Sequence, residues 1–188
     1  MPRLVEILQA LYGAWRLARL DRQAMHYFDL SHRGVWRSFW AAPLCYPGFL
    51  VLLYLRLDDA TLAQSGLGHI VLVETIGYVI AWAAFPLVIL AFCRWLGRED
   101  RGFEFVTAYN WSQAIQTAFF VLVALVGALL LPATLAPDLD LASYVAVLGY
   151  EWFIALVAIG AGGGIAAAVV AIDVVLGAFI AVTAGSLY

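Results

Sequence analysis

Long apolar runs alternate with short polar stretches along this chain, and the runs have the length of membrane-spanning helices. Five of them cover residues 36–55, 69–96, 104–131, 141–159 and 165–182. A helix needs about 20 apolar residues to cross the hydrocarbon core of a bilayer, and each run reaches or approaches that length. The pattern therefore predicts an all-α fold, a polytopic membrane bundle of five transmembrane helices.

Residues 3–20 have a different pattern, in which apolar positions recur at the 3.6-residue period of a helix. The apolar positions share one face and most polar positions lie opposite, which predicts an amphipathic helix in the membrane interface. The alternative is a helix packed against the protein's own cytoplasmic face. The residues of this predicted interfacial helix are Leu4, Ile7, Leu8, Leu11, Trp15, Arg16 and Arg19.

Residues 21–34 form a polar connector with a predicted helical turn. The chain therefore divides into residues 1–34, a cytoplasmic amphipathic helix with its connector, and residues 35–188, a five-span transmembrane domain. No small-residue cleavage site follows the first apolar stretch, so we do not expect a cleavable signal peptide.

The charged residues lie mostly between the apolar runs and predict the orientation of the bundle. All ten basic residues are arginine: six precede residue 38, three lie at 94–101, and Arg56 is the tenth. Because cytoplasmic loops are enriched in basic residues, this distribution predicts a cytoplasmic N-terminus and a C-terminus on the other side. Only 12% of the residues are charged and 65% are hydrophobic, against about 25% charged in soluble domains. We expect an integral protein of a bacterial inner membrane.

Three carboxyl side chains lie inside the apolar runs, where an unpaired charge is costly: Glu74, Glu151 and Asp173. The last two flank the turn GAGGG that joins the fourth and fifth runs. Glu151 is 11 residues before Gly162 and Asp173 is 11 residues after it. Antiparallel helices that share this turn bring both groups to one depth, about 16 Å from it at 1.5 Å per residue. Whether they face each other depends on helix rotation.

The third run begins with an unusually polar stretch for a membrane helix, TAYNWSQAIQT. Asn110, Gln113, Gln116 and Thr117 recur with helical spacing and form one broad stripe. Lipid offers these groups no hydrogen-bond partner, so we expect the stripe to face the two carboxyl groups. Two interpretations stay open: the acids bind or relay a proton or cation, or they are protonated and hydrogen-bonded to amides for structural reasons.

Small residues form a further stripe in the fifth run, where Gly177, Ala181 and Gly185 follow Asp173 at intervals of four. Such stripes allow helices to approach closely, and the partner helix can be internal or belong to another subunit. The sequence has no phosphate-binding glycine loop, zinc-protease motif or nucleophile elbow. We therefore expect no enzymatic activity, cofactor, metal or nucleic-acid partner.

The order of these features resembles that of the Yip1-like membrane proteins, which have an N-terminal cytoplasmic region, five spans and a very short final tail. The stretch FVTAYNWSQAIQTAF is similar to the start of a span in bacterial members. The resemblance covers residues 36–188. The signature stretches of the eukaryotic members are absent, so the resemblance does not imply their trafficking role.

Together these features favour a non-enzymatic integral membrane protein, an accessory, scaffolding or membrane-organising subunit. Its expected partners are the lipid bilayer and other membrane protein subunits, or a second copy of the chain. The alternative is a small transporter or a proton- or cation-coupling protein that works through Glu151, Asp173 and Gln116. The chain has no internal repeat, and transporters commonly have one.

Overall fold

The computed structural model of the protein describes residues 2–132 and 134–188, which form eight α-helices, one 3₁₀ turn and no strand. The all-α prediction is confirmed. The helices are α1 (Leu4–Ala18), α2 (His32–Ser38), α3 (Ala41–Arg56), α4 (Asp59–Ser65), α5 (Leu67–Trp95), α6 (Glu99–Leu130), α7 (Ala136–Ile159) and α8 (Gly163–Gly185), and the 3₁₀ turn is Arg22–Tyr27.

Five stretches are long and apolar enough to cross a membrane, as the sequence predicted. They are the four long helices α5 to α8 and the stretch His32–Arg56, which combines α2 and α3. α6 and α7 each begin five residues earlier than the apolar runs, because their first turns hold acidic residues that the helix dipole favours. Of the predicted loop 132–140, Ala133 lies outside the described residues, and α7 already begins at Ala136.

The first span is interrupted between α2 and α3. α2 ends at Ser38, and Pro43 occupies the first turn of α3. Proline is tolerated in a first turn because the backbone N–H that it lacks would have no helical partner there. The hydroxyl group of Ser38 is buried and donates to the carbonyl oxygen of Val35 at 2.7 Å.

α6 is the central helix of the bundle, and α1, α2, α3, α5 and α7 all pack against it. α8 packs against α5 and α7. α6 and α8 therefore lie on opposite sides of an interior that α5 and α7 close on the other two sides. Side chains from four helices can meet in this interior.

Two contacts align the turns at one end of the bundle. The Nη1 atom of Arg98 donates to the carbonyl oxygens of Ile159 and Gly160, both at 3.1 Å. The His32 ring meets the Phe103 ring edge to face at 4.7 Å. The α5–α6 turn, the α7–α8 turn and the start of the first span therefore lie at the same end. Arg98 also supplies donors to the C-terminal carbonyl groups of α7, which have no helical partner.

α1 packs along the side of the bundle through small residues. Ala10 and Ala14 are buried, and the Tyr150 hydroxyl group donates to the Ala14 carbonyl oxygen at 2.7 Å. Tyr150 is ten residues before Gly160 in the chain, so this bond lies about 15 Å from the α7–α8 turn. The structure thus combines features of both predicted alternatives, because α1 packs against the protein and still has an exposed face.

The exposed face of α1 is apolar. Leu4, Leu8 and Trp15 are 70%, 56% and 52% exposed, whereas Ile7 and Leu11 are partly buried against the core. These five residues are on the face that the sequence predicted to be apolar. Their contact with lipid stays a prediction.

The 3₁₀ turn folds back over part of the predicted polar face of α1, at Gly13 and Arg16, whereas Gln9 stays exposed. Gly13 is buried beneath this turn, and a Cβ atom added there would lie only 2.9 Å from the Tyr27 Cβ atom. Arg16 pairs with Asp21 and donates to the Tyr27 hydroxyl group at 2.8 Å, whereas Arg19 stays exposed. The Gln23 backbone N–H bonds to Asp21 and is the main cause that lowers the pKa of this carboxyl group.

Candidate functional site

Glu151 on α7 and Asp173 on α8 lie side by side in the interior of the bundle. The two helices are joined by a tight turn in which Gly160 and Gly162 adopt positive φ angles of 66° and 92°. Other residues adopt such angles only with strain. Glu151 and Asp173 are each 11 residues from Gly162 and therefore lie at equal depth, as the sequence predicted. The rotation of α7 and α8 about their axes turns the two side chains toward each other.

Tyr109 on α6 completes the carboxyl pair from a third helix. Its hydroxyl group donates to the Oδ1 atom of Asp173 at 3.1 Å. Gln116, two helical turns further along α6, adjoins Glu151 and is itself buried. Its Nε2 atom is buried without a hydrogen-bond partner in the described residues. The site is therefore built from three helices. It includes a buried amide donor that has no acceptor among the described residues.

The prediction that the whole polar stripe of α6 faces the carboxyl pair is wrong. Asn110 donates through its Nδ2 atom to the Ser38 Oγ atom at 2.9 Å, and Thr117 lies against Gly48 of α3. At about 100° per residue, Asn110 and Thr117 point nearly the same way, and Gln116 points about 120° from Asn110. Since several helices surround α6, one broad stripe is divided among them.

Neither carboxyl group has a cationic neighbour among the described residues. The groups that act on Glu151 and Asp173 are each other, Tyr109 and Gln116. Every arginine belongs to the N-terminal region, to the end of α3 or to the α5–α6 turn. Two adjacent acids in a low-dielectric interior cannot both hold a charge cheaply, so such a pair holds at least one proton. The arrangement can therefore bind and release a proton.

A cavity of about 100 Å³ lies beside the pair, between α5, α6 and α8. Asp173 is in its wall, and the other residues that matter for its chemistry are Trp82, Phe85, Pro86, Asn110 and Gln113. Gln113 thus lies near one member of the pair, although it does not bond to it. The cavity gives Asp173 a polar neighbourhood that Glu151, which is 7% exposed, does not share.

Glu74 belongs to a different part of the molecule. The Tyr188 hydroxyl group donates to its Oε1 atom at 2.6 Å, and this bond is the main cause that raises the pKa of Tyr188 to about 12. The His69 ring nitrogen Nε2 lies 3.0 Å from the Leu187 carbonyl oxygen. These contacts fasten the segment after α8 to the start of α5. Glu74 was a candidate for the polar cluster, and it does not join it.

The small-residue stripe of α8 makes few close contacts with the described residues. Gly177, Ala181 and Gly185 are exposed, and a Cβ atom added at Gly177 or Gly185 would have no neighbour within 4 Å, although Gly177 also lines the cavity beside Asp173. α8 instead meets α5 through Ile180 and Ala184, which lie against Gly77. The described residues thus give Gly177 and Gly185 no close helix contact, and a partner helix from another subunit stays a prediction.

Sequence reasoning missed Tyr109. A tyrosine in an apolar run resembles an ordinary membrane aromatic residue. The available signal was its spacing of seven from Gln116, which places both side chains within about 20° of one face of α6.

Comparisons of the chain with protein-family models, curated proteins and solved structures find no match. The resemblance to Yip1-like proteins therefore stays a prediction.

Proposed function

We propose that this chain is a non-enzymatic integral membrane protein that couples its activity to a proton or cation bound at the carboxyl pair of Glu151 and Asp173. The observation that carries the proposal is the meeting of two carboxyl groups from different helices in an interior where no arginine of the described residues lies beside them. A purely structural role would be served by neutral hydrogen-bonding residues, which avoid the cost of an acid inside a membrane.

The unequal surroundings of the pair support a division of roles. Glu151 is the more deeply buried member and holds the shared proton. Asp173 adjoins the cavity and accepts a hydrogen bond from Tyr109, and hydrogen bonds of this kind favour the ionised form of a carboxyl group. Asp173 is therefore the member that gains or loses charge when the site exchanges a proton or cation with its surroundings.

The proposed setting is a bacterial inner membrane, with a cytoplasmic N-terminus and the C-terminus on the opposite side. Nine of the ten arginines lie in the N-terminal region or the α5–α6 turn, which supports this orientation. The apolar face of α1, with Leu4, Leu8 and Trp15, then contacts lipid, and the exposed Arg19 binds phosphate groups at its edge.

Infrared spectroscopy of the reconstituted protein tests the proposal, because protonated carboxyl groups have a carbonyl stretch that carboxylates lack. At neutral pH, exposed carboxyl groups are ionised. We expect the wild-type spectrum to retain a protonated-carboxyl band that changes by one group during a pH titration. The band should be absent from the double variant Glu151→Gln/Asp173→Asn and unchanged in the variant Asp59→Asn at the exposed start of α4. A band that stays constant until the protein unfolds would support the structural interpretation and overturn the proposal.

A second function, that of an accessory or membrane-organising subunit, is favoured by the exposed stripe Gly177, Ala181 and Gly185 on α8. We propose that a second copy of the chain packs there, because small residues every four positions suit close contact between two identical helices. Replacing Ala181 with leucine is expected to convert a dimer in mild detergent to a monomer, as measured by light scattering. Val182→Leu, which changes the neighbouring position, should leave the dimer intact. A monomeric wild-type protein would contradict this second function.

A further inference from the structure

We propose that the cavity between α5, α6 and α8 binds a small alkylated or protonated amine whose positive charge is balanced by Asp173. This inference rests on the proposed function, because it names the ligand class of the same site. Asp173 supplies negative charge to the cavity wall, and two further observations show unpaired acceptors in the same wall.

The first observation is the side chain of Asn110, which is fully buried and lines the cavity. Ser38 uses its only hydrogen to donate to the Val35 carbonyl oxygen. The Ser38 oxygen must therefore accept from the amide nitrogen of Asn110, which fixes the orientation of the amide group. The Asn110 Oδ1 atom is then left buried without a donor in the described residues. Buried acceptors are nearly always paired, so this unpaired oxygen leaves a negative partial charge in the cavity wall, which attracts a cation.

The second observation concerns the backbone of α5. Pro86 lies inside this helix and has no N–H group. The carbonyl oxygen of Trp82, four residues earlier, consequently lacks its helical donor. Trp82 and Pro86 both line the cavity. Asp173, Asn110 and Trp82 therefore bring three residues with acceptor groups, from three helices, to the wall of the cavity.

Aromatic rings distinguish the kind of cation that fits. Trp82, Phe85 and Tyr109 all line the cavity, and the Phe85 and Tyr109 ring centroids are 4.6 Å apart. Aromatic faces attract cations, and quaternary ammonium groups are bound in this way. The cavity volume of about 100 Å³ exceeds the roughly 10–15 Å³ that one water molecule requires. A small alkylammonium ion fills this space against the rings, whereas a bare metal ion leaves most of it to water.

Proton binding and amine binding are linked at Asp173. The titratable groups near it are Tyr109 from α6 and both Glu151 and Tyr144 from α7, while the cavity residues of α5 carry no titratable side chain. A proton on Asp173 removes the charge that balances the amine. Lowering the pH therefore weakens amine binding, and amine binding expels a proton from the pair when both acids are protonated.

Calorimetric titration of tetramethylammonium chloride into the full-length protein in lipid nanodiscs tests this inference. We expect saturable binding that weakens as the pH falls and that is at least tenfold weaker in Asp173→Asn. The control variant Asp59→Asn in α4 should bind like the wild type. Trp82→Phe leaves every carboxyl group in place and serves as a second variant if Asp173→Asn does not fold. It should weaken tetramethylammonium binding several-fold and leave sodium binding unchanged.

Absence of saturable tetramethylammonium binding to the wild type would overturn the inference, as would equal binding by wild type and Asp173→Asn. Saturable binding of sodium alone would also overturn it. If the infrared band of the carboxyl pair still titrates in the same preparation, the proposed function stands and only the amine is wrong. If the band is absent as well, the proposed function fails with it.

Discussion

Replacing Gly34 with alanine is expected to destabilise the protein severely, by about 3 kcal/mol or more. Gly34 lies in the first turn of α2, where its backbone N–H donates to the Ser31 Oγ atom at 3.1 Å. A Cβ atom at this position would overlap the backbone carbonyl group of Asp29. This neighbour is backbone and not the end of a flexible side chain. The segment around Asp29, which leads into the first span, must therefore move to accommodate the added atom.

Thermal unfolding in detergent, followed with a thiol-reactive dye at a fixed heating rate, measures this effect. Cys45 and Cys93 are both buried and react only when the bundle opens. Gly68→Ala is the matched control, since Gly68 lies in the first turn of α5 with no neighbouring atom within 4 Å of an added Cβ. The control should match or slightly exceed the wild-type midpoint, because alanine favours helix. Equal unfolding midpoints for Gly34→Ala and Gly68→Ala would contradict the close packing of Gly34 against the Asp29 backbone.

The five spans were predictable because a bilayer imposes a length of apolar sequence that few other structures require. The early starts of α6 and α7 were not, since a polar first turn has no apolar signal. The packed face of α1 was missed for a related reason. Ala10 and Ala14 contribute little hydrophobicity, and their small size lets another helix approach.

The depth of the two carboxyl groups in the bundle was predictable from the sequence, whereas the rotation of their helices was not. Counting residues from a shared turn places Glu151 and Asp173 at one level whatever the packing. Which way each helix faces depends on all its neighbours, and the sequence does not state them. The same reason explains why Asn110 and Thr117 turned toward α2 and α3, and why Tyr109 was overlooked.

Cysteines placed at positions 151 and 173 are expected to be joined almost completely by a short bifunctional thiol reagent. The chain for this experiment carries Glu151→Cys and Asp173→Cys together with Cys45→Ser and Cys93→Ser, so that no other thiol reacts. The carboxyl groups of the native residues adjoin each other across the α7–α8 hairpin. A reagent that spans only a few bonds therefore reaches both thiols in one molecule.

The matched control moves the second cysteine two residues along α8, as Glu151→Cys with Val175→Cys in the same background. Val175 is at nearly the same depth but is 69% exposed on another face of the helix. Intact mass then separates a molecule bridged by one reagent from a molecule with two singly modified thiols. We predict a bridged mass for positions 151 and 173 and two separate modifications for positions 151 and 175. Two separate modifications at positions 151 and 173, in folded protein, would contradict the adjacency on which the proposed function depends.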